Sequence, residues 1–351
     1  MSEKNLVFQR PELPVVGTAS DKRKREVQQN IQDHFAFNRD QISSSFVERL
    51  RMLEYPKHDF EKVAIKDINS LLNKILKEFG LTEFDVPEAN IYSVPEKLYE
   101  EIDGQSKTDS DGFCAHQEQA IVLNSEKLDH PYSRISVLLH EMIHLKAFVS
   151  LEANETGQYL RRVGLEAYSS LKKTHEQKRS VRQLIGLNEA VVSELQKRLF
   201  PHVIKRNPHL DREKSIMDSK RGKTGLVKAT QKEMLPEDEF VYAFTKNDNP
   251  ETSEWEGYTF PYRPQRLVLK YILETICRTY PDEFISEDDV FRLFLQAHFG
   301  GQLGPLAKAV EDTFGVGSFR MIGTMTGKDP ESAYRVLDFL KKNTLLAARK
   351  K

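Results

Sequence analysis

The stretch Ile135-Ser136-Val137-Leu138-Leu139-His140-Glu141-Met142-Ile143-His144-Leu145 decides how the rest of the chain is read. Ile135, Leu138, Leu139, Met142 and Leu145 recur at three and four residues, the spacing of one helical face. Asp129-His130-Pro131 opens the segment, with Pro131 at or near the first helical position, and a helix is predicted to about Val149. On that helix His140 and His144 stand about 40° apart in projection and one turn apart along the axis. Both imidazoles can therefore reach one zinc ion at about 2.0–2.1 Å. Glu141 falls about 60° from His144, so its carboxylate can face a water at the ion without being a ligand. A helical His-Glu-x-x-His is the arrangement of two metal ligands and a general base. The competing reading is two histidines on an ordinary core helix.

A catalytic zinc of this kind takes a third protein ligand. A third histidine six residues after His144 is absent, because Ser150 stands there, and Ala147 replaces the glycine that such a pattern needs. Glu189, in Leu187-Asn188-Glu189-Ala190-Val191-Val192-Ser193-Glu194, is the leading candidate. It opens an apolar helix, predicted from about Asn188 to Leu199 and stopping before Pro201, that can pack beside the first. Glu166 and His175, in the segment between the two helices, are the alternatives.

The pair formed by His140-Glu141-Met142-Ile143-His144 and Asn188-Glu189-Ala190 resembles the gluzincin class of zinc metallopeptidases, of which thermolysin is the familiar example. Arg162-Val163-Gly164-Leu165 and Leu187-Asn188-Glu189-Ala190-Val191 resemble uncharacterised bacterial gluzincin-like proteins more closely. The resemblance covers residues 112–200, and more loosely Tyr262 to Arg266 and the C-terminal helices. It implies an α+β, zincin-like fold: a small sheet over the metal helix, then a mainly helical C-terminal half. It also implies His140, His144 and Glu189 as ligands of Zn2+ and Glu141 as general base. One position departs from the class. The fourth residue after the ligand glutamate is acidic in thermolysin-like enzymes and orients a metal-binding histidine. Here it is Ser193, with Glu194 one further on, so either Ser193 or another acid orients the histidine.

The chemistry expected of these parts is peptide-bond hydrolysis, with peptide or unfolded polypeptide as substrate. Tyr262 is the first candidate for the donor to the tetrahedral oxyanion, and Tyr258, Arg263 and His116 compete with it. Ala120 to Asn124 is expected as a sheet edge beside the cleft, where an extended peptide can add by backbone pairing. Two further readings stand beside the peptidase: a zincin-fold zinc-binding regulatory protein without turnover, and a zinc-free helical interaction protein.

Around this centre, four regions are expected. Residues 1–45 read as a polar N-terminal arm carrying Lys22-Arg23-Lys24-Arg25. Residues 46–202 read as the zincin core with the metal site. Residues 203–261 read as a polar insertion, a candidate lid with one hairpin around Leu226 to Phe244. Residues 262–351 read as a helical C-terminal region, in which Ser286 and Asp289 form a capping box.

The chain has 351 residues, with 52 Lys and Arg against 53 Asp and Glu. A balance so near neutral offers no global field for nucleic acid or anionic lipid, so neither is expected as a partner. No apolar run is long enough for a membrane span. The first thirty residues hold no apolar core of a secretory signal. With only two cysteines, Cys114 and Cys277, a disulfide framework is excluded, and a cytoplasmic setting is expected.

Overall fold

The computed structural model describes residues 10–11, 13–34, 45–103, 110–155, 157–170, 180–245 and 255–348. Its first half mixes strands and helices: β1 (Val15–Val16), α1 (Asp21–His34), α2 (Ser45–Leu53), α3 (Asp59–Glu78), β2 (Ile91–Val94), α4 (Glu96–Asp103), β3 (Gly112–Ala115), β4 (Ala120–Asn124), α5 (Pro131–Lys146), β5 (Val149–Asn154), β6 (Gly157–Val163), β7 (Glu166–Ser170), β8 (Ser180–Gln183) and α6 (Ile185–Arg206). Then come α7 (Asp211–Asp218), α8 (Lys220–Glu233), β9 (Phe240–Thr245), β10 (Trp255–Thr259), α9 (Arg263–Thr279), α10 (Glu287–Gly300), α11 (Leu303–Phe314), α12 (Ser318–Ile322) and α13 (Pro330–Ala348). The class is α+β with small sheets, as expected. No helix among the described residues is long and apolar enough to cross a membrane.

The helix α5 carries the His-Glu-x-x-His segment. The His130 ring accepts the Tyr132 backbone N–H at its start, and Pro131 takes the first helical position, where no donor is lost. Ala147 is extended and ends the helix, so the chain enters β5 at Val149. Nearly every residue of α5 is buried, which places it at the centre of the molecule rather than on a surface.

One small sheet lies on α5, in the order β2-β4-β3. β4 pairs with β2 in parallel and with β3 antiparallel, with Phe113 opposite Val122 and Cys114 opposite Ile121. Strand alternation explains its double burial. Ile121 and Leu123 join the main core with α5, while Ala120 and Val122 pack on the other face with Leu50, Leu98 and Tyr99. β4 is thus the central strand, and the expectation of an edge at Ala120 to Asn124 is corrected: the edges are β2 and β3.

β3 can lie close on α5 because Gly112 has no side chain. A Cβ there would stand 2.6 Å from Val137 Cγ1 and 3.3 Å from Glu141 Cγ.

The second sheet runs β1-β5-β6-β7-β8. Here residues 1–45 differ from the expected polar arm. β1 pairs in parallel with β5, and Leu13, Ala19, Val27 and Ile31 bury against Val149, Leu151, Ala153 and Val163. The Arg10 guanidinium is buried and donates to the Ala147 carbonyl at 2.9 Å. Only two of the fourteen residues of α1, Val27 and Ile31, are apolar and inward, so the composition of the segment hides the stripe.

Residues 203–261 differ as well. They form α7, α8 and the hairpin β9–β10 rather than a loop, and Leu226 lies on a helix. The glycines that suggest a loop permit contact instead: a Cβ on Gly225 would stand 2.0 Å from the Trp255 ring. The helix that carries Glu189 also runs longer than predicted. α6 passes through Pro201, which cannot donate to the Lys197 carbonyl, because Phe200, Val203 and Ile204 bury on either side of the break.

Candidate metal centre

α5 and α6 pack side by side and bring His140, His144 and Glu189 together. Asn188 fixes the entry of α6: its side-chain oxygen accepts the Leu165 N–H at 2.9 Å and meets His298 Nδ1 at 3.1 Å. Gly164 makes room for this junction with a left-handed φ of 54°, and a Cβ there would strike both His298 and Asn188. Arg162 donates to the Ala297 and Gly301 carbonyls, tying β6 to α10. The Arg162-Val163-Gly164-Leu165 and Leu187-Asn188-Glu189 motifs are therefore halves of one junction.

The donor atoms form a nearly equilateral triangle. His140 Nε2 and His144 Nε2 are 3.2 Å apart, and each lies 3.3 Å from Glu189 Oε2. A tetrahedral zinc with ligands at about 2.0–2.1 Å needs donor separations of about 3.3–3.4 Å. These three are also the group of histidine and carboxylate side chains, among the described residues, arranged to hold a metal. A proton can bridge one pair of these acceptors, whereas a cation can satisfy all three. The residues fit zinc.

His140 Nδ1 lies 3.1 Å from Gln196 Oε1, and the Gln196 amide nitrogen donates to the Ser136 carbonyl and hydroxyl, each at 2.8 Å. Ser193, the orienting candidate named from sequence, makes no hydrogen bond to the histidine. Ser193 Oγ is buried and without a hydrogen-bond partner among the described residues. Glu194 accepts from Arg198 Nε at 2.8 Å. Of the alternative ligands, Glu166 is bonded to Arg182 instead, and His175 lies outside the described residues.

Glu141 is buried beside the triangle and is not part of it. Burial pushes its carboxyl up to about 7; His140 opposes the rise and Glu189 adds to it. Burial would also raise Glu189, but His144 and His140 hold its carboxyl well below the usual carboxylate range. Tyr262 stands on the other side. Its ring stacks on His140 with centroids 5.9 Å apart, and its backbone is left-handed at φ 58°. Glu189 first, then burial and Glu141, keep its phenol protonated far above the ordinary range. Gly327 lies behind both groups, where a Cβ would be 3.3 Å from the Tyr262 ring and 3.5 Å from Glu189 Cγ.

A cavity of about 490 Å³ opens onto His140, Glu141 and Tyr262. Ser110, Asp111 and Gly112 line one wall, Tyr258 and Thr259 another, and Gly327 and Lys328 a third. The Tyr258 phenol lies 3.3 Å from Asp111 Oδ2. Residues 203–261 thus supply a wall through the end of β10. Arg263 lies away from this cavity, lining another with Arg266 and Glu287. His116 stays off the cavity wall, with Nδ1 at 3.5 Å from Cys114 Sγ. Burial, then His144, lowers the His116 pKa well below its ordinary value.

The sequence pattern missed Gln196, Asp111 and the 327–328 segment. Gln196 carried a legible signal: it lies seven residues, two helical turns, after Glu189 on the same face. The others come from loops, whose position periodicity does not fix. Comparison with protein families, curated proteins and solved structures finds no match to the chain.

Proposed function

We propose that the chain is a zinc-dependent peptidase of the gluzincin type with a zincin-like fold, acting on peptide or unfolded polypeptide. The observation that carries the reading is the convergence of His140, His144 and Glu189 beside a separate buried carboxylate, Glu141, at an open cavity. Two ligands from one helix and one from the next are what the motif pair implies.

Zinc held by His140, His144 and Glu189 would polarise a substrate carbonyl and lower the pKa of water toward about 7. The residues of the chain do the rest. Glu141 accepts the proton of the attacking water on its carboxylate and returns it to the leaving amine, a role open to a carboxylate that stands beside the three donors without joining them. The Tyr262 phenol, protonated and fixed against His140, donates to the oxyanion. Asp111, Tyr258 and Lys328 contact the substrate around the reacting carbonyl.

The test uses one preparation of the full chain. Elemental analysis should find about one zinc per chain, and an unfolded casein should be cleaved in a chelator-sensitive manner. Glu141→Gln should keep the zinc and the fold while lowering turnover by about 10²–10⁴-fold. A chain that takes up no zinc on dialysis ends the reading. A chain that holds zinc yet cleaves no member of a peptide library is a zinc-binding protein without turnover.

A further inference from the structure

We propose that Gln196 is the positioning residue of the centre, holding His140 as the tautomer whose Nε2 faces the other two donors. The proposal rests on the metal-centre reading and extends it to a residue outside the ligand set.

The hydrogen bonds of Gln196 decide the tautomer. The Ser136 carbonyl can only accept, so the Gln196 group 2.8 Å from it is the NH2. The Gln196 oxygen is then the atom 3.1 Å from His140 Nδ1, and an oxygen without a proton can only accept. His140 therefore carries its proton on Nδ1 and presents the Nε2 lone pair to His144 and Glu189. Gln196 is buried at 1% exposure, with Ser136 and His140 beside it along the cavity. It also touches α5 at two points one turn apart, Ser136 and His140, and so fixes the azimuth of the ring against the helix that carries it.

The same hydrogen bonds explain why the residue is an amide. The site asks for an acceptor toward His140 and a donor toward the Ser136 carbonyl. A carboxylate meets the first need and would set its second oxygen against that carbonyl. Gln meets both. The centre then keeps Glu189 as its only anionic ligand, with a neutral partner behind His140.

Three variants separate positioning from packing. Gln196→Leu fills similar space and cannot accept from His140. Gln196→Glu keeps the acceptor and loses the donor. Ser193→Ala removes the hydroxyl that the motif pattern nominates. Zinc affinity, measured by competition with a chromophoric chelator, should fall about 10–100-fold in Gln196→Leu, the range for losing an outer partner of a metal-binding histidine. It should stay within about threefold of wild type in Gln196→Glu, even where that variant melts earlier, and in Ser193→Ala. Nitrogen-15 shifts of the His140 ring in the metal-free chain should show the Nδ1-protonated form in wild type and in Gln196→Glu, and lose that preference in Gln196→Leu. Undiminished zinc affinity in Gln196→Leu overturns the proposal, and so does an equal loss in the Leu and Glu variants, which marks packing alone. If wild type binds no zinc, the metal-centre reading fails, and the ring shifts still decide the tautomer: an Nε2-protonated His140 overturns the assignment.

Discussion

Tyr262 shows what the site asks of a single residue. A non-glycine side chain at φ 58° costs of order 1 kcal/mol, and such residues persist only where their surroundings hold them. Here Arg266 donates through Nε to the Pro261 carbonyl and Pro264 follows at the second helical position, so the turn into α9 is fixed on both sides. The turn lays the Tyr262 ring on His140 and leaves the phenol at the cavity. Removing one oxyanion donor typically costs 10²–10³-fold in kcat. Tyr262→Phe is therefore expected to lower kcat by about 10²-fold, with KM and zinc content little changed. Steady-state kinetics and metal analysis on the same sample check it; an unaltered kcat would move the donor role to Tyr258. At this scale the candidate ligands were legible because helical periodicity ties a spacing to a face, as for His140 with His144. Gln196 obeys the same rule but lies outside the familiar motif. Asp111 and Lys328 depend on how loops meet, which no local spacing encodes.

Among the elements, the ones with a strong local signal were legible: the apolar stripe of α5 and the Ser286–Asp289 capping box stand where the pattern puts them. The failures share a cause. α1 and α8 bury narrow faces made of two or three small or widely spaced residues, and their composition reads as polar surface. The burial of Leu13, Ala19, Val27 and Ile31 makes the N-terminal segment part of the packed fold rather than a polar arm. Deleting residues 1–34 removes β1 from the edge of β5 and uncovers Val149, Leu151 and Ala153. Even a net loss of about 2 kcal/mol would lower Tm by about 3 °C in a chain of this size. The truncated chain should melt earlier and bind a hydrophobic dye; a melting curve identical to that of the full chain would return the segment to a solvated arm. A milder element-scale test is Gly112→Val, which forces β3 away from α5 where Val137 and Glu141 already crowd the backbone. Overpacking of this kind costs about 1–3 kcal/mol, and denaturant unfolding would measure it.

Across the whole molecule, the two ligand-bearing helices must keep their distance from the C-terminal helices that carry Tyr262, and one buried carboxylate joins the parts. Glu239, just before β9, accepts from Lys197 of α6 at 2.7 Å and from Arg266 of α9, whose Nη1 is 3.1 Å away. Arg266 is itself buried at 5% exposure, and Glu239 supplies the anion that offsets its charge. Burial alone would raise the Glu239 pKa, but Arg266 and Lys197 together hold it down at about 2. The sign of the pH dependence follows from that depression. An unfolded glutamate titrates near 4.3, so the folded state gains from Glu239 at every pH above that value. The gain declines as pH falls below it and is gone once pH passes through about 2. Glu239→Gln keeps an acceptor and removes the charge, leaving Arg266 without its anion. Breaking a buried pair from one side costs about 3–5 kcal/mol, and the retained amide should hold this variant to about 3 kcal/mol or less at pH 7. The difference in unfolding free energy between wild type and Glu239→Gln should therefore be flat from pH 7 to about 5, shrink below about 4.3 and vanish near 2. Urea unfolding at a series of pH values measures it directly. A difference that instead grows on acidification would mean that Glu239 is protonated in the folded chain at neutral pH, and the tie between α6, α9 and the hairpin would then be a neutral hydrogen bond.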